Sequence, residues 1–151
     1  MIRMRLILVG LCMFAATSIA DEELDQAFEK DVLVIVANAP ACYRFDIYLA
    51  LSREQQRRGL MFVRHLEPWT GMLFVYPSED IHSMWMKNTF IPLDMVFARR
   101  DGTVTSVARD TVPQSLKSIS STEPVSFVLE LNAGTTERLS IDVGSQLLWD
   151  R

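Results

Sequence analysis

Residues 93–108 read LDMVFARRDGTVTSVA, and this stretch decides the fold class. Residues 93–98 are mostly apolar, and Asp101-Gly102 is a strong two-residue hairpin signal because both turn positions tolerate a left-handed backbone. The stretch therefore predicts two antiparallel strands, 93–98 and 103–108, joined by a tight turn.

Similar short segments lie on both sides of this hairpin. Residues 43–50 (YRFDIYLA) alternate between apolar and polar positions, which is typical of a half-buried strand. A continuous apolar run at 32–37 predicts a buried strand. Further strands are predicted at 71–76 (closed by Pro77), 83–88, 125–131 and 146–149.

The predicted helices are few and short. Ser52 and Gln55 have the spacing of a capping box, and Gly59 would end that helix. A second short helical piece is expected at 135–139, and residues 110–124 are predicted to form a long surface loop. Because no helix of 10–15 residues separates the strands, we predict a mainly β fold, a compact sandwich or barrel of about seven to eight short strands with one or two short helices.

The N-terminal twenty residues, MIRMRLILVGLCMFAATSIA, have the pattern of a cleavable signal peptide. Arg3 and Arg5 precede an apolar run that is short for a membrane span, and Ser18 and Ala20 are small residues at a cleavage site. We therefore expect export to the periplasm or beyond, with a signal peptide at 1–20, a frayed lead-in at 21–30 and one β domain at 31–151.

Cleavage would change both the charge and the cysteine content. The net charge of −4 would fall to about −6 because two arginines leave, and Cys42 would lose Cys12, its only possible partner. Cys42 is expected to be buried, with pairing to another chain and reactivity as the alternatives. An acidic chain without a run of Lys and Arg disfavours nucleic acid and anionic membranes as partners.

Five short motifs occur in a fixed order, and together they resemble the DUF192 family, a domain of unknown function. They are 58–61 (RGLM), 71–74 (GMLF), 84–89 (MWMKNT), 92–94 (PLD) and 129–134 (LELNAG). The resemblance extends over roughly residues 45–148. It implies a compact, mainly β domain that is often secreted, and it implies no activity.

The MWMKNT segment is the first candidate site. Trp85 could serve as a stacking platform with Lys87 and Asn88 as polar anchors, which is the form of a small-ligand or sugar-binding cleft. The alternative is that Trp85 and its neighbouring methionines are core residues. The loop 110–124 would lie at the rim of such a cleft.

Charges in apolar surroundings form the second candidate. Asp94 and Glu130 lie within apolar strands, with Lys87 and Arg58 as possible partners. A buried ion-pair network would explain them, since an unpaired buried charge is costly. Alternatively, Asp94 and Glu130 could form a carboxylate pair that works as general acid and general base in a hydrolase.

A third candidate is a periplasmic Cu(I) site at His82, Met84 and Met86. Thioether and imidazole ligands suit Cu(I), and the three side chains share a face if the strand is regular from residue 82.

We favour the hypothesis that the protein is a non-enzymatic binding module with its site at the MWMKNT segment. An enzyme is the uncertain alternative. The ligand set of the binding module would be Arg58, Trp85, Lys87, Asn88, Asp94 and Glu130. We expect a small molecule or a protein as partner, no cofactor, and no stable membrane insertion after signal cleavage. The oligomeric state stays open.

Overall fold

The computed structural model describes the backbone of residues 19–150 and the side chains of residues 23–150. The first eighteen residues of the predicted signal peptide lie outside this range. The helices are α1 (Ile19–Ala27), α2 (Arg53–Arg58) and α3 (Thr135–Arg138). The strands are β1 (Glu29–Val36), β2 (Cys42–Ala50), β3 (Thr70–Asp80), β4 (Ser83–Met84), β5 (Leu93–Ala98), β6 (Val104–Ala108), β7 (Ile119–Ser120), β8 (Val125–Asn132) and β9 (Gln146–Leu148). No helix within residues 19–150 is both long and apolar enough to cross a membrane.

Seven strands form one sheet in the order β6-β5-β8-β3-β2-β1-β9, and β4 pairs with β7 in a separate ribbon. All neighbouring strands of the large sheet are antiparallel except β2 and β3, which run parallel and are connected through α2. Leu147 N donates to Gly102 O at 2.9 Å, and Val104 N donates to Ser145 O at 2.9 Å. These bonds bring the two edges of the sheet together, so the sheet is a nearly closed barrel. The prediction of a mainly β fold is confirmed.

Apolar side chains pack on both faces of this sheet. The inner cluster fills the barrel and includes Leu33, Phe45, Ile47, Leu73, Val96, Leu129 and Leu131. The outer cluster includes Leu24, Tyr48, Met72, Phe74, Met86, Met95 and Val128. Because α1, the 60–66 segment and the 86–93 segment contribute to the outer cluster, the outside of the barrel carries a second buried layer.

Several local predictions are confirmed. Asp101-Gly102 joins β5 to β6, which pair as an antiparallel hairpin. The helix α2 begins after Ser52, whose hydroxyl accepts from Gln55 N, and it ends at Gly59. The reciprocal capping-box contact is also present, because the Gln55 side chain accepts from Ser52 N.

Other elements differ from the sequence-based expectations. The strand expected at 83–88 is only Ser83–Met84, because the chain turns after Met84 to cover the barrel. Where a frayed lead-in was expected at 21–30, the structure has α1 and the first residues of β1, anchored by the buried Leu24 and Phe28.

The other differences concern burial and strand ends. The strand β3 continues past Pro77 with a shift in register, and the loop 110–124 contains the short strand β7. The run 32–37 is buried on alternate residues only, so Val32 is exposed. Cys42 is exposed, contrary to expectation, because it lies in β2 at an outward position while Phe45 points inward.

Candidate functional site

Glu130 is the most unusual charged group in the described part of the chain. It lies in the central strand β8, on the outer face of the barrel with Val128, and only 4% of it is exposed. Its Oε2 atom is buried and has no hydrogen-bond partner. Burial without a compensating partner raises the pKa of Glu130 to about 8, so the carboxyl is protonated at neutral pH.

A small cavity of about 20 Å³ lies against Glu130. Its walls come from the end of α2, from β3 and from the 84–89 segment. The lining side chains include Arg58, Met61, Phe74, Met84, Trp85, Lys87, Thr89 and Glu130. We call this cavity and its rim the Glu130 cleft. Four of the six predicted ligand-binding residues, Arg58, Trp85, Lys87 and Glu130, therefore come together.

Trp85 lies at the exposed rim of the cleft. Its side chain is 46% exposed, which is what a binding platform requires and a core residue would not show. The Lys87 Nζ atom lies 5.2 Å from the centre of the Trp85 ring, within cation–π distance. Trp85 and Lys87 are two residues apart in the segment that follows β4, and both are exposed.

Asp94 is not part of this cleft. It is fully buried in β5, where it is paired with Leu131, so it shares the inner face of the barrel with Leu131 while the adjacent Glu130 faces outward. Its Oδ2 accepts from Thr136 N at 2.9 Å and from Thr136 Oγ1 at 2.8 Å, and its Oδ1 accepts from Asp110 N at 3.0 Å. Asp94 therefore anchors α3 and the start of the 110–124 loop.

The two carboxyls that were considered as an acid–base pair thus point to opposite faces of one sheet. The expectation that Asp94 and Glu130 meet is wrong, because adjacent positions on neighbouring antiparallel strands alternate in direction. The expected ion-pair network is not formed either. Arg58 lies 3.9 Å from Glu23 and stacks over the Phe28 ring at 5.5 Å.

Asn88 has a backbone role. It adopts a left-handed conformation with φ of 56°, and its carbonyl accepts from Phe62 N at 2.8 Å. Its side-chain Nδ2 donates weakly to the Met61 sulfur at 3.8 Å. The structure therefore places Asn88 in the turn that supports the cleft, beside the cavity lining and outside it.

Two of the three candidate copper ligands, His82 and Met84, both contact Tyr76, whereas Met86 contacts Thr111; the His82 Nε2 atom is buried without a hydrogen-bond partner. The His82 ring stacks on Tyr76 with 3.5 Å between ring centres, and the Met84 sulfur accepts from the Tyr76 hydroxyl at 3.7 Å. Met86 is fully buried, and its sulfur accepts from Thr111 Oγ1 at 3.2 Å. The strand that was expected to align the three side chains ends at Met84. Within residues 19–150, no group of three or more His, Cys, Asp or Glu side chains could hold a metal ion.

Sequence reasoning missed the backbone strain beside the cleft. Phe62, Asn88 and Gln114 all have positive φ, at 68°, 56° and 60°. A left-handed asparagine is common, but a left-handed phenylalanine is a genuine outlier. Gln114 N donates to Thr89 O at 3.0 Å, so the three residues belong to loops that bond to one another. Such strain concentrates at functional sites, and in this sequence only the asparagine could have signalled it.

A much larger depression lies elsewhere. It measures about 580 Å³ and involves α1, β1 and β2, with Asp25, Lys30 and Tyr48 among its lining residues. Three of its polar groups bond to one another: Lys30 forms an ion pair with Asp25, and the Tyr48 hydroxyl donates to Asp25 at 2.8 Å. The Glu130 cleft is much smaller, but it holds the unpaired buried carboxyl, so we assign the candidate site there.

The fold and cleft define a small, nearly closed β barrel with a second apolar layer on its outside. The chain belongs to the DUF192 family, described as "Uncharacterized ACR", which matches residues 34–149. No curated protein matches the chain.

Two solved structures have the same fold. A protein of Sinorhizobium meliloti 1021, described as a "putative transcription regulator", is 39% identical with a TM-score of 0.78; the match covers 80% of this chain and 94% of that one. A protein of unknown function from Novosphingobium aromaticivorans DSM 12444 is 31% identical with a TM-score of 0.78, covering 81% of this chain and 86% of that one.

Proposed function

We propose that the protein is an exported binding module whose Glu130 cleft takes a hydroxyl group of a small polyhydroxy ligand of the carbohydrate class. The buried Oε2 atom of Glu130, which has no hydrogen-bond partner, carries this proposal. A buried polar atom without a partner costs free energy, so its retention at the floor of a cavity needs an explanation, and a ligand atom would supply the missing hydrogen bond.

The chemistry of the cavity suits a hydroxyl. A protonated Glu130 both donates and accepts, and a hydroxyl does the same. The cavity of about 20 Å³ has room for one oxygen atom, since a water needs roughly 10–15 Å³.

The rim suits the rest of such a ligand. The exposed Trp85 ring offers an apolar face on which a sugar ring can lie. Lys87 and Arg58 offer donors to further hydroxyls, and both border the cavity.

A fluorescence titration of the purified protein with a panel of mono- and disaccharides tests the proposal. We expect saturable quenching with at least one sugar, and loss of that binding in Glu130→Leu and Trp85→Ala. Trp69→Ala is the matched control because Trp69 is also 46% exposed but lies against Tyr43 and Arg138, away from the cleft. Equal loss in the Trp69 and Trp85 variants, or no sugar that binds, would refute the proposal.

Export rests on the N-terminal pattern and is proposed with the binding function. N-terminal sequencing of the protein isolated from its native host should read from Asp21 and should find it in the periplasmic or extracellular fraction. A cytoplasmic protein that retains residues 1–20 would contradict export, but it would not test ligand binding at the Glu130 cleft.

The S. meliloti relative is described as a transcription regulator, so DNA binding is the alternative function to consider. We expect no nucleic-acid role for this chain, because its net charge is −4 and DNA binding depends on neutralising phosphates. A duplex DNA shift assay at low salt checks this expectation.

A further inference from the structure

Three loops beside the cleft form one continuous surface. Phe62 N donates to Asn88 O at 2.8 Å, and Met86 N donates to Ser115 O at 3.1 Å. The bond from Gln114 N to Thr89 O adds a third link. We call the surface built by segments 57–66, 84–91 and 111–118 the three-loop face.

Large apolar side chains project from every loop of this face. Phe62 is 57% exposed, Trp85 46%, Val112 68% and Leu116 71%. The half-buried Phe90 packs edge-to-face against Phe62 at 6.2 Å. Single exposed apolar residues are ordinary, but four on linked loops mark an interaction surface.

The net acidity of the chain, which disfavours anionic membranes in the sequence analysis, is not shared by the three-loop face, whose segments carry charges of one sign only. These segments carry five cations and no Asp or Glu, in a chain whose net charge is −4. The cations are Arg57, Arg58, Arg64, Lys87 and Lys117. Two of them lie over aromatic rings of the face: Arg64 over Phe90 at 4.8 Å and Lys87 over Trp85 at 5.2 Å. Acids lie at its edges: Glu67 contacts His65 at 3.1 Å, and Glu23 lies 3.9 Å from Arg58.

We propose that the three-loop face docks the protein peripherally on an anionic lipid bilayer. The exposed Phe62, Val112 and Leu116 would enter the boundary between headgroups and acyl chains. The flanking arginines and lysines would contact anionic headgroups while their stems lie along the apolar surface. This inference does not depend on what the Glu130 cleft binds.

The shape of the face favours a bilayer over other acidic partners. The cavity between segments 57–66 and 84–91 measures only about 20 Å³, which is too small to seat a peptide side chain, whereas a bilayer needs no groove. Duplex DNA would satisfy the cations but would leave Phe62, Val112 and Leu116 facing water. Only a surface that is anionic outside and apolar beneath matches both properties.

Vesicle co-sedimentation tests the proposal. The full chain is mixed with vesicles of phosphatidylglycerol and phosphatidylethanolamine, and with vesicles of phosphatidylcholine alone. We expect binding to the anionic vesicles that weakens with salt, and at least tenfold weaker binding to phosphatidylcholine.

Substitutions on the three-loop face test whether this surface is the part of the protein that binds the vesicles. Val112→Ser/Leu116→Ser should weaken anionic-vesicle binding at least tenfold, and Arg64→Ser/Lys117→Ser about thirtyfold, as two lost cations imply. The control Val143→Ser/Leu148→Ser removes two apolar side chains that are 57% and 53% exposed elsewhere and should bind like wild type. Every chain carries the same N-terminal segment, so a difference among them belongs to the altered residues.

The outcomes separate this proposal from the proposed function. Val112, Leu116, Arg64 and Lys117 do not line the Glu130 cavity, so their variants should keep any sugar binding. Equal vesicle binding by wild type and both face variants overturns the docking proposal. The docking proposal is also overturned if wild type does not bind vesicles. It is overturned likewise if these residues bind duplex DNA or a protein and do not bind vesicles.

Discussion

At the residue scale, Glu130 and Asp94 show how position decides the chemistry of a carboxyl. Both are buried in neighbouring strands of one sheet. Asp94 accepts three hydrogen bonds at the foot of α3, whereas Glu130 leaves one oxygen unpartnered and has its pKa raised by burial. Asp94 is therefore a structural anchor, whereas Glu130 has an oxygen atom to which a ligand could still form a hydrogen bond.

Glu130 should make stability depend on pH. Its pKa of about 8 in the folded protein exceeds its ordinary value of 4.5, so the folded state holds one more proton between those pH values. The stabilisation from the neutral carboxyl is complete below pH 4.5 and is lost as the pH rises through 8. Relative to Glu130→Gln, which does not titrate, wild type should lose on the order of 1.4 kcal/mol of unfolding free energy per pH unit within this window.

Urea unfolding of both proteins at pH 5, 6, 7 and 8 measures this difference. Other carboxyls titrate equally in the two chains and cancel. Parallel stability curves would show that Glu130 is already ionised in the folded protein.

At the element scale, the short β4 and the turn after it build the cleft. A regular strand to residue 88 would have alternated the side chains of the MWMKNT segment. The turn keeps that alternation through Lys87, which lies over the exposed Trp85 ring, and breaks it at Thr89, which is buried. The left-handed Asn88 closes this turn onto the 60–66 segment through Phe62.

Substitutions at Asn88 test this turn. At φ of 56°, Asn88→Ala should lower the unfolding free energy by about 1 kcal/mol, because alanine disfavours a left-handed backbone. Asn88→Gly should stay within about 0.5 kcal/mol of wild type, since its one side-chain bond is a long contact to sulfur. Thermal unfolding of both variants measures the effect; a larger loss in the glycine variant would assign the role to the side chain instead of the backbone.

At the scale of the whole molecule, closure of the barrel depends on one glycine. Gly102 has φ of 82°, and a Cβ atom there would lie 2.1 Å from the Leu147 carbonyl oxygen. At the same place, Leu147 N donates to Gly102 O and Thr103 pairs with Gln146, so β9 is joined to the β5–β6 turn. The two sheet edges can therefore meet only because residue 102 has no side chain.

Gly102→Ala should cost about 3 kcal/mol or prevent folding, since both the backbone conformation and the close contact oppose it. Gly134→Ala is the matched control: its φ is 79°, but nothing lies within 4 Å of its Cβ position, so about 1 kcal/mol is expected. Urea unfolding and the soluble yield of both variants provide the comparison. Similar losses in the two would mean that closure does not depend on the contact with Leu147.

The sequence by itself determined the features that depend on neighbouring residues. The Asp101-Gly102 turn, the capping box of α2 and the alternation in β2 are local patterns, and each predicted its element correctly. The motif order likewise indicated the family and its mainly β fold. Trp85, Lys87, Arg58 and Glu130 could be chosen because their residue types were unusual in their surroundings.

Only the tertiary structure decided which of these residues meet. The direction of Asp94 relative to Glu130 follows from strand register, which depends on partners far away in the chain. The early end of β4 follows from how the 86–93 segment covers the barrel, and that packing overrides the strand pattern of residues 83–88. The five cations of the three-loop face are scattered over sixty residues, so their single-sign cluster exists only after the loops fold together.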